Sequence, residues 1–154
     1  MMRVQFDHEK LEVYQLELAF VSWVAPLLAR VKQAGATVRT AEVIDQLDRA
    51  SLSTLLNTAE GNGRRQAQMR ARFFEDARGS ATECAACLDA RVPKTLCSIE
   101  EVNQGKEMLL RIVSMLTKLV ARFDQSSSSS SSSSIIREEA DEERMGNEEE
   151  DENE

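Results

Sequence analysis

The 154 residues carry a net charge of −8, but the excess is uneven: residues 1–124 hold 17 Lys/Arg against 16 Asp/Glu, and 125–154 hold 2 against 11. The body is therefore +1 and the tail −9, so the acidic total belongs to an appendage and leaves room for a basic face on the body. Three cysteines, an odd number without a secretory leader, argue against a disulfide scaffold, and the most apolar stretch, Leu16–Val31, is broken by Glu17, Ser22, Pro26 and Arg30, short of the roughly 20 apolar residues a membrane span needs.

The first predicted helix takes Asp7 as N-cap, with Glu9 and Glu12 in the first turn where the helix dipole favours acids. Its apolar series is Leu11, Tyr14, Leu18, Val21, Val24/Ala25, Leu28 and Val31, spaced by threes and fours. Pro26 inside this run predicts a kink or an early end, and Gly35 is a natural stop. A second helix starts near Thr40, with Ile44, Leu47, Ser51, Leu55 and Thr58 along one seam and Val43, Leu52, Leu56 and Ala59 beside it. It is expected to stop at Gly61, with Gly61-Asn62-Gly63 as a tight turn.

The third helix runs from about Arg65 to Ala90, with Met69, Phe73, Ala77, Cys84 and Leu88 on its apolar face and Pro93 limiting its extension. The fourth opens with Ser98-x-x-Glu101, a capping box. It then repeats Val102, Gly105, Leu109, Ile112, Leu116, Leu119 and Phe123 in a coiled-coil-like seam. Nothing alternates with period 2, and the connections are short. The expected class is all-α: an antiparallel up-down-up-down four-helix bundle over 1–124. After it come nine consecutive serines (126–134) and an acidic run, a tail over 125–154 expected to be disordered because it has too little apolar surface to offset its ordering entropy.

The run Asp45-Gln-Leu-Asp-Arg-Ala-Ser-Leu-Ser, then Asn57-Thr-Ala-Glu-Gly61-Asn-Gly63-Arg-Arg, together with Phe6, Leu11-Glu-Val-Tyr14, Arg72-Phe-Phe and Ala77-Arg-Gly-Ser80, resembles the bacterial four-helix bundle proteins of the 23S rRNA intervening-sequence family. That family is similar to the accessory variability determinant proteins of diversity-generating retroelements. The resemblance spans roughly residues 6–123. It implies a bundle that assembles as a homopentamer, with structured RNA or a reverse transcriptase as partner, and implies no reaction. Where relatives carry Ile-Pro before the Leu-Asn-Ile-Ala-Glu-Gly element, this chain has Thr54-Leu55, which implies a more continuous second helix.

Cys84 and Cys87 form a C-x-x-C with Cys97 nearby, but a closed zinc site needs a fourth ligand. The one histidine, His8, lies in another segment. Core packing explains these thiols better than metal or redox chemistry. One histidine with no nucleophile elbow or phosphate loop offers no catalytic residues, so the chain reads as a non-enzymatic binding or assembly protein without a cofactor, cytoplasmic and not membrane-bound.

Arg64, Arg65, Arg70, Arg72 and Arg78 fall within fifteen residues, opposed by Glu75 and Asp76. Arginine forks suit phosphate, and Arg64, Arg65, Arg72 and Arg78 are the candidate nucleic-acid-binding set, with Arg65 and Arg72 sharing a face at about 100° per residue. The competing reading pairs Arg72 with Asp76 and leaves the rest as a solvated face or a subunit contact. Arg70 projects with the apolar residues and is assigned, with Arg49, Glu60 and Asp45, to interface or ion-pair roles. Asn57, Glu60 and Gly61 read as structural parts of a helix end. A protein-interaction scaffold without a nucleic-acid role is the alternative function.

Overall fold

The computed structural model describes residues 4–35, 37–90 and 97–146, with side chains through Gln125. A single 3₁₀ turn, Asp7–Lys10, precedes four helices: α1 Glu12–Gln33, α2 Val38–Gly63, α3 Ala67–Asp89 and α4 Ile99–Gly146. No strand occurs among the described residues. The long α4 passes the end expected at Phe123, since no glycine or proline intervenes before Gly146. The backbone of 125–146, part of the tail expected to be disordered, thus continues α4, while side chains from 126 onward, and all of 147–154, lie outside the described residues. The connection 91–96, with Pro93, lies outside them as well.

Cross-helix pairs establish the topology. Thr58 on α2 meets Glu17 on α1, while Lys32 near the other end of α1 approaches Asp45 and Asp48 at 3.9 Å each. Gln46 reaches Glu83, Ser53 reaches Ser80, and Gly61 lies against Phe73 and Phe74. Lys106 bonds Asp89 at one end of α3/α4, and Phe74 faces Phe123 at the other. Arg30 bonds Glu101 across α1/α4. In each pair one number rises as its partner's falls, so neighbouring helices run antiparallel, as expected.

The N-terminal segment differs from its sequence reading. Asp7 opens the 3₁₀ turn instead of capping a long helix, because its carboxylate is engaged by Lys10 and Asn62, and Leu11 is extended (φ −70°, ψ 127°) before α1 begins. Pro26 does not end α1. Its missing bond costs about 3 kcal/mol, but Val24, Leu27 and Leu28 beside it are all buried, and each contributes about 1.5–3 kcal/mol. The stop at Gly35 holds, with φ +70°, in the left-handed region where glycine carries no Cβ penalty.

The second connection moves as well. Helix α2 continues through Gly61-Asn62-Gly63, and the turn occupies 64–66. Gly61 is a buried helical residue. A Cβ there would stand 3.0 Å from Phe73 Cβ and 3.1 Å from Phe74 Cε1, so close approach of α2 and α3, and no left-handed cap, is what calls for glycine. The uninterrupted α2 agrees with the departure from Ile-Pro noted above. Its start is sealed by Thr37, whose Oγ1 accepts from the Thr40 N–H at 3.4 Å.

Helix α4 opens as expected: Ser98 N–H donates to Glu101 Oε2 at 2.9 Å and Glu101 N–H donates to Ser98 Oγ at 3.1 Å. Its seam enters the core through Leu109, Ile112, Leu116 and Val120. There it shares one core with Phe74, Ala77, Ala81 and Cys84 of α3 and with Ile44, Leu47 and Ala50 of α2. At Gly105 the Trp23 ring of α1 packs over the backbone, and a Cβ would come within 2.6 Å of its Cζ3.

Candidate functional site

The arginines fall into two groups. Arg64 ends α2, pairs with Glu60 one turn back, and lies over the Phe73 ring at 4.8 Å. Arg65 sits in the connection, before α3 begins at Ala67. The shared helical face inferred for Arg65 and Arg72 therefore does not arise, since helical periodicity does not extend to Arg65. Arg65 and Arg72 are both exposed and form no ion pair among the described residues; the Arg72–Asp76 pair is not made. Arg78 lies about 12 Å further along α3 than Arg70 and pairs with Glu75 at 2.9 Å. Exposed pairs of this kind contribute at most about 1 kcal/mol, so Arg64 and Arg78 can exchange their carboxylates for another anion at little cost.

Arg70 is tied inside the molecule. Its Nη2 donates to the Asn62 carbonyl at 2.5 Å, at the negative end of the α2 dipole, and its guanidinium stacks over Phe123 at 4.9 Å. The acids grouped with it are engaged elsewhere: Asp45 lies near Lys32, and Glu60 holds Arg64. Arg70 is thus an interhelical clamp through a carbonyl and an aromatic ring. Arg49 donates to Gln46 Oε1, and Gln46 Nε2 donates to Glu83. With Asn57–Ser53 at 3.2 Å and Ser53–Ser80 at 2.9 Å, these side chains form a polar row along the α2/α3 groove. Asn57 thus bonds along its own helix, a structural use.

Two features escaped sequence reasoning. The first is Glu17, 1 % exposed. Val13, Glu17, Phe20, Val24, Leu27 and Val31 form the buried stripe of α1, so the expected face was right at Val24, Leu28 and Val31 but displaced at Leu18, which is 37 % exposed. The signal was the 4-3-4-3-4 spacing itself, hidden because a charged residue occupied a core position. Glu17 Oε1 accepts from the Thr58 hydroxyl at 2.7 Å, and Oε2 has no partner. Burial pushes its pKa up to about 8 against the modest opposing effect of Thr58, so the acid stays protonated at neutral pH.

The second is an aromatic group at the N-terminal turn. The Phe6 and His8 rings stack at 5.7 Å, and His8 meets the edge of Tyr14 at 4.8 Å. Asn62 Nδ2 donates to Asp7 Oδ2 at 3.3 Å, fastening this turn to the α2 end that carries Arg64 and Arg65. The Asp7 carboxyl is held below its usual range by Asn62 and Lys10.

The cysteines are core residues. Cys84, Cys87 and Cys97 are buried free thiols, and burial pushes Cys84 up to about 12, far from the thiolate that metal binding or nucleophilic attack requires. Among the described residues, no cluster of metal-ligating side chains forms and no helix is long and apolar enough to cross a membrane.

A family model described as 23S rRNA-intervening sequence protein matches residues 9–118, from the N-terminal turn to near the end of the α4 seam. No curated protein matches the chain.

Proposed function

Because the chain belongs to the 23S rRNA-intervening sequence protein family, we propose that it is a non-enzymatic, cytoplasmic homo-oligomeric bundle, pentameric in its assembled form. It binds structured RNA, or a nucleic-acid enzyme such as a reverse transcriptase, through Arg64, Arg65, Arg72 and Arg78. The observation that supports this reading best is the exposure of Arg65 and Arg72 without carboxylate partners among the described residues, beside Arg64, whose single pair is solvent-exposed. Guanidinium groups so disposed engage phosphate bidentately. Binding of that kind depends on counterion release and weakens steeply with salt, and a ring of copies multiplies the field. No cofactor takes part.

Fluorescence-anisotropy titration of a structured RNA at two salt concentrations tests the proposal, with assembly mass followed by light scattering. The expected result is salt-sensitive binding that is lost in Arg64→Ala/Arg65→Ala/Arg72→Ala with the assembly intact. The pairs Arg64–Glu60 and Arg78–Glu75 favour a second reading, a protein-interaction scaffold whose arginines serve the bundle itself. Assembly without RNA affinity at low salt selects it.

A further inference from the structure

Aromatic side chains are ordinarily buried, because they remove large apolar areas from water. Phe6 is 70 % exposed, yet it is held in place. Its N–H donates to Glu9 Oε2 at 2.6 Å, and its carbonyl accepts from the Glu9 N–H at 3.2 Å. Gln15 of α1 donates to the Glu9 carbonyl at 2.6 Å, and Asn62 of α2 holds Asp7. One face of the Phe6 ring rests on His8 at an interplanar angle of 17°, and His8 is backed by Tyr14. The turn thus carries a rigid, supported aromatic surface open to solvent. Asn62, which anchors it, lies two residues before Arg64, and its own carbonyl holds Arg70. The aromatic surface and the arginines therefore belong to the same end of the bundle.

We propose that Phe6, supported by His8 and Tyr14, is a stacking platform for an unpaired nucleobase of RNA whose backbone is held by Arg64 and Arg65. The proposal rests on the RNA-binding reading above and narrows its ligand from structured RNA in general to RNA with an exposed single-stranded loop. The division of labour follows from charge. The turn itself bears Asp7 and Glu9 against Lys10, so it repels phosphate and accepts a neutral base, while the phosphates run towards the arginines. Stacking on an aromatic face tolerates any base, and a base in a duplex is not available for it.

The test compares a fluorescent hairpin with a purine-rich loop and a blunt duplex of equal length, titrated with the full chain by anisotropy. Phe6→Ala is expected to weaken hairpin binding about tenfold and to leave duplex binding unchanged, with Phe6→Tyr restoring it. Arg64→Ala/Arg65→Ala is expected to weaken both. Because Phe6 is exposed, its substitution leaves the melting temperature in place, which circular dichroism checks. Equal hairpin affinity for Phe6→Ala and the parent chain overturns the platform while leaving the arginine reading standing. So does a loss of assembly mass in Phe6→Ala without loss of RNA affinity, which assigns the ring to a subunit contact. No binding of either RNA by the parent chain overturns both readings.

Discussion

Replacing Glu17 with Gln makes the buried acid experimentally visible. The folded state holds the Glu17 proton up to about pH 8, against an ordinary value of 4.5. Below pH 4.5 both folded and unfolded chains carry the proton, and burial of the neutral acid has no ionisation cost. Between 4.5 and 8 the unfolded chain ionises and the folded chain does not, so stability falls as pH rises and levels off above 8. At about 1.4 kcal/mol per pH unit, the loss is about 3 kcal/mol at pH 7 and about 5 kcal/mol above pH 8. Glu17→Gln keeps an oxygen to accept from the Thr58 hydroxyl and cannot ionise. Urea denaturation at pH 5.5, 7 and 8.5, at one protein concentration, should show the variant gaining on the parent chain by about 1, 3 and 5 kcal/mol. A difference that stays constant across the three pH values refutes the reasoning, because it would mean that Glu17 does not hold its proton through neutrality.

Two further substitutions probe packing and thiol chemistry. Gly105→Ala places a Cβ against Trp23 and should cost about 1–3 kcal/mol, whereas Gly79→Ala, with nothing within 4 Å, should stabilise α3 by about 0.5–1 kcal/mol; paired thermal melts separate them. The folded chain should leave an aromatic disulfide reagent nearly unreacted at pH 8, because Cys84 is buried and its pKa is pushed up to about 12, and all three thiols should titrate once guanidinium unfolds it.

Legibility differed from helix to helix for definite reasons. Helix α4 was readable in register from Gly105 to Leu116, where its seam holds only apolar residues and glycine, and its capping box uses local bonds between Ser98 and Glu101; past Leu116 it is Val120 that is buried, with the expected Leu119 and Phe123 half-buried. The α2 seam was equally plain, Ile44, Leu47, Ser51, Leu55 and Thr58 all being buried. Its flank was not: Leu52 and Leu56 are 45 % and 64 % exposed, while Ala50 and Thr54, the less hydrophobic flank, face inward. In α3 the expected face was right at Ala77, Cys84 and Leu88 but not at Met69 and Phe73, which are half-buried; the buried stripe is Ala71, Phe74, Ala77, Ala81, Cys84 and Leu88, so it is Phe74 that enters the core.

The candidate site divides in the same way. The arginine cluster was visible as composition, but which arginines face solvent was not. Arg70 and Arg64 differ because one reaches the Asn62 carbonyl and Phe123 while the other stays near the surface with Glu60.

What the chain's own letters determine here is whatever neighbours in sequence can enforce: helical periodicity, the Ser98 cap, the left-handed Gly35 and the four-helix count. Tertiary structure alone decides Glu17's burial, Gly61's role as a contact point, and the fastening of the Phe6 turn to the end of α2. Each depends on a partner carried by another element, as Glu17 does on Thr58, Asp7 on Asn62 and Gly61 on Phe73 and Phe74. A periodic pattern records that a face is buried. It does not record which side chain of another helix will be there to meet it.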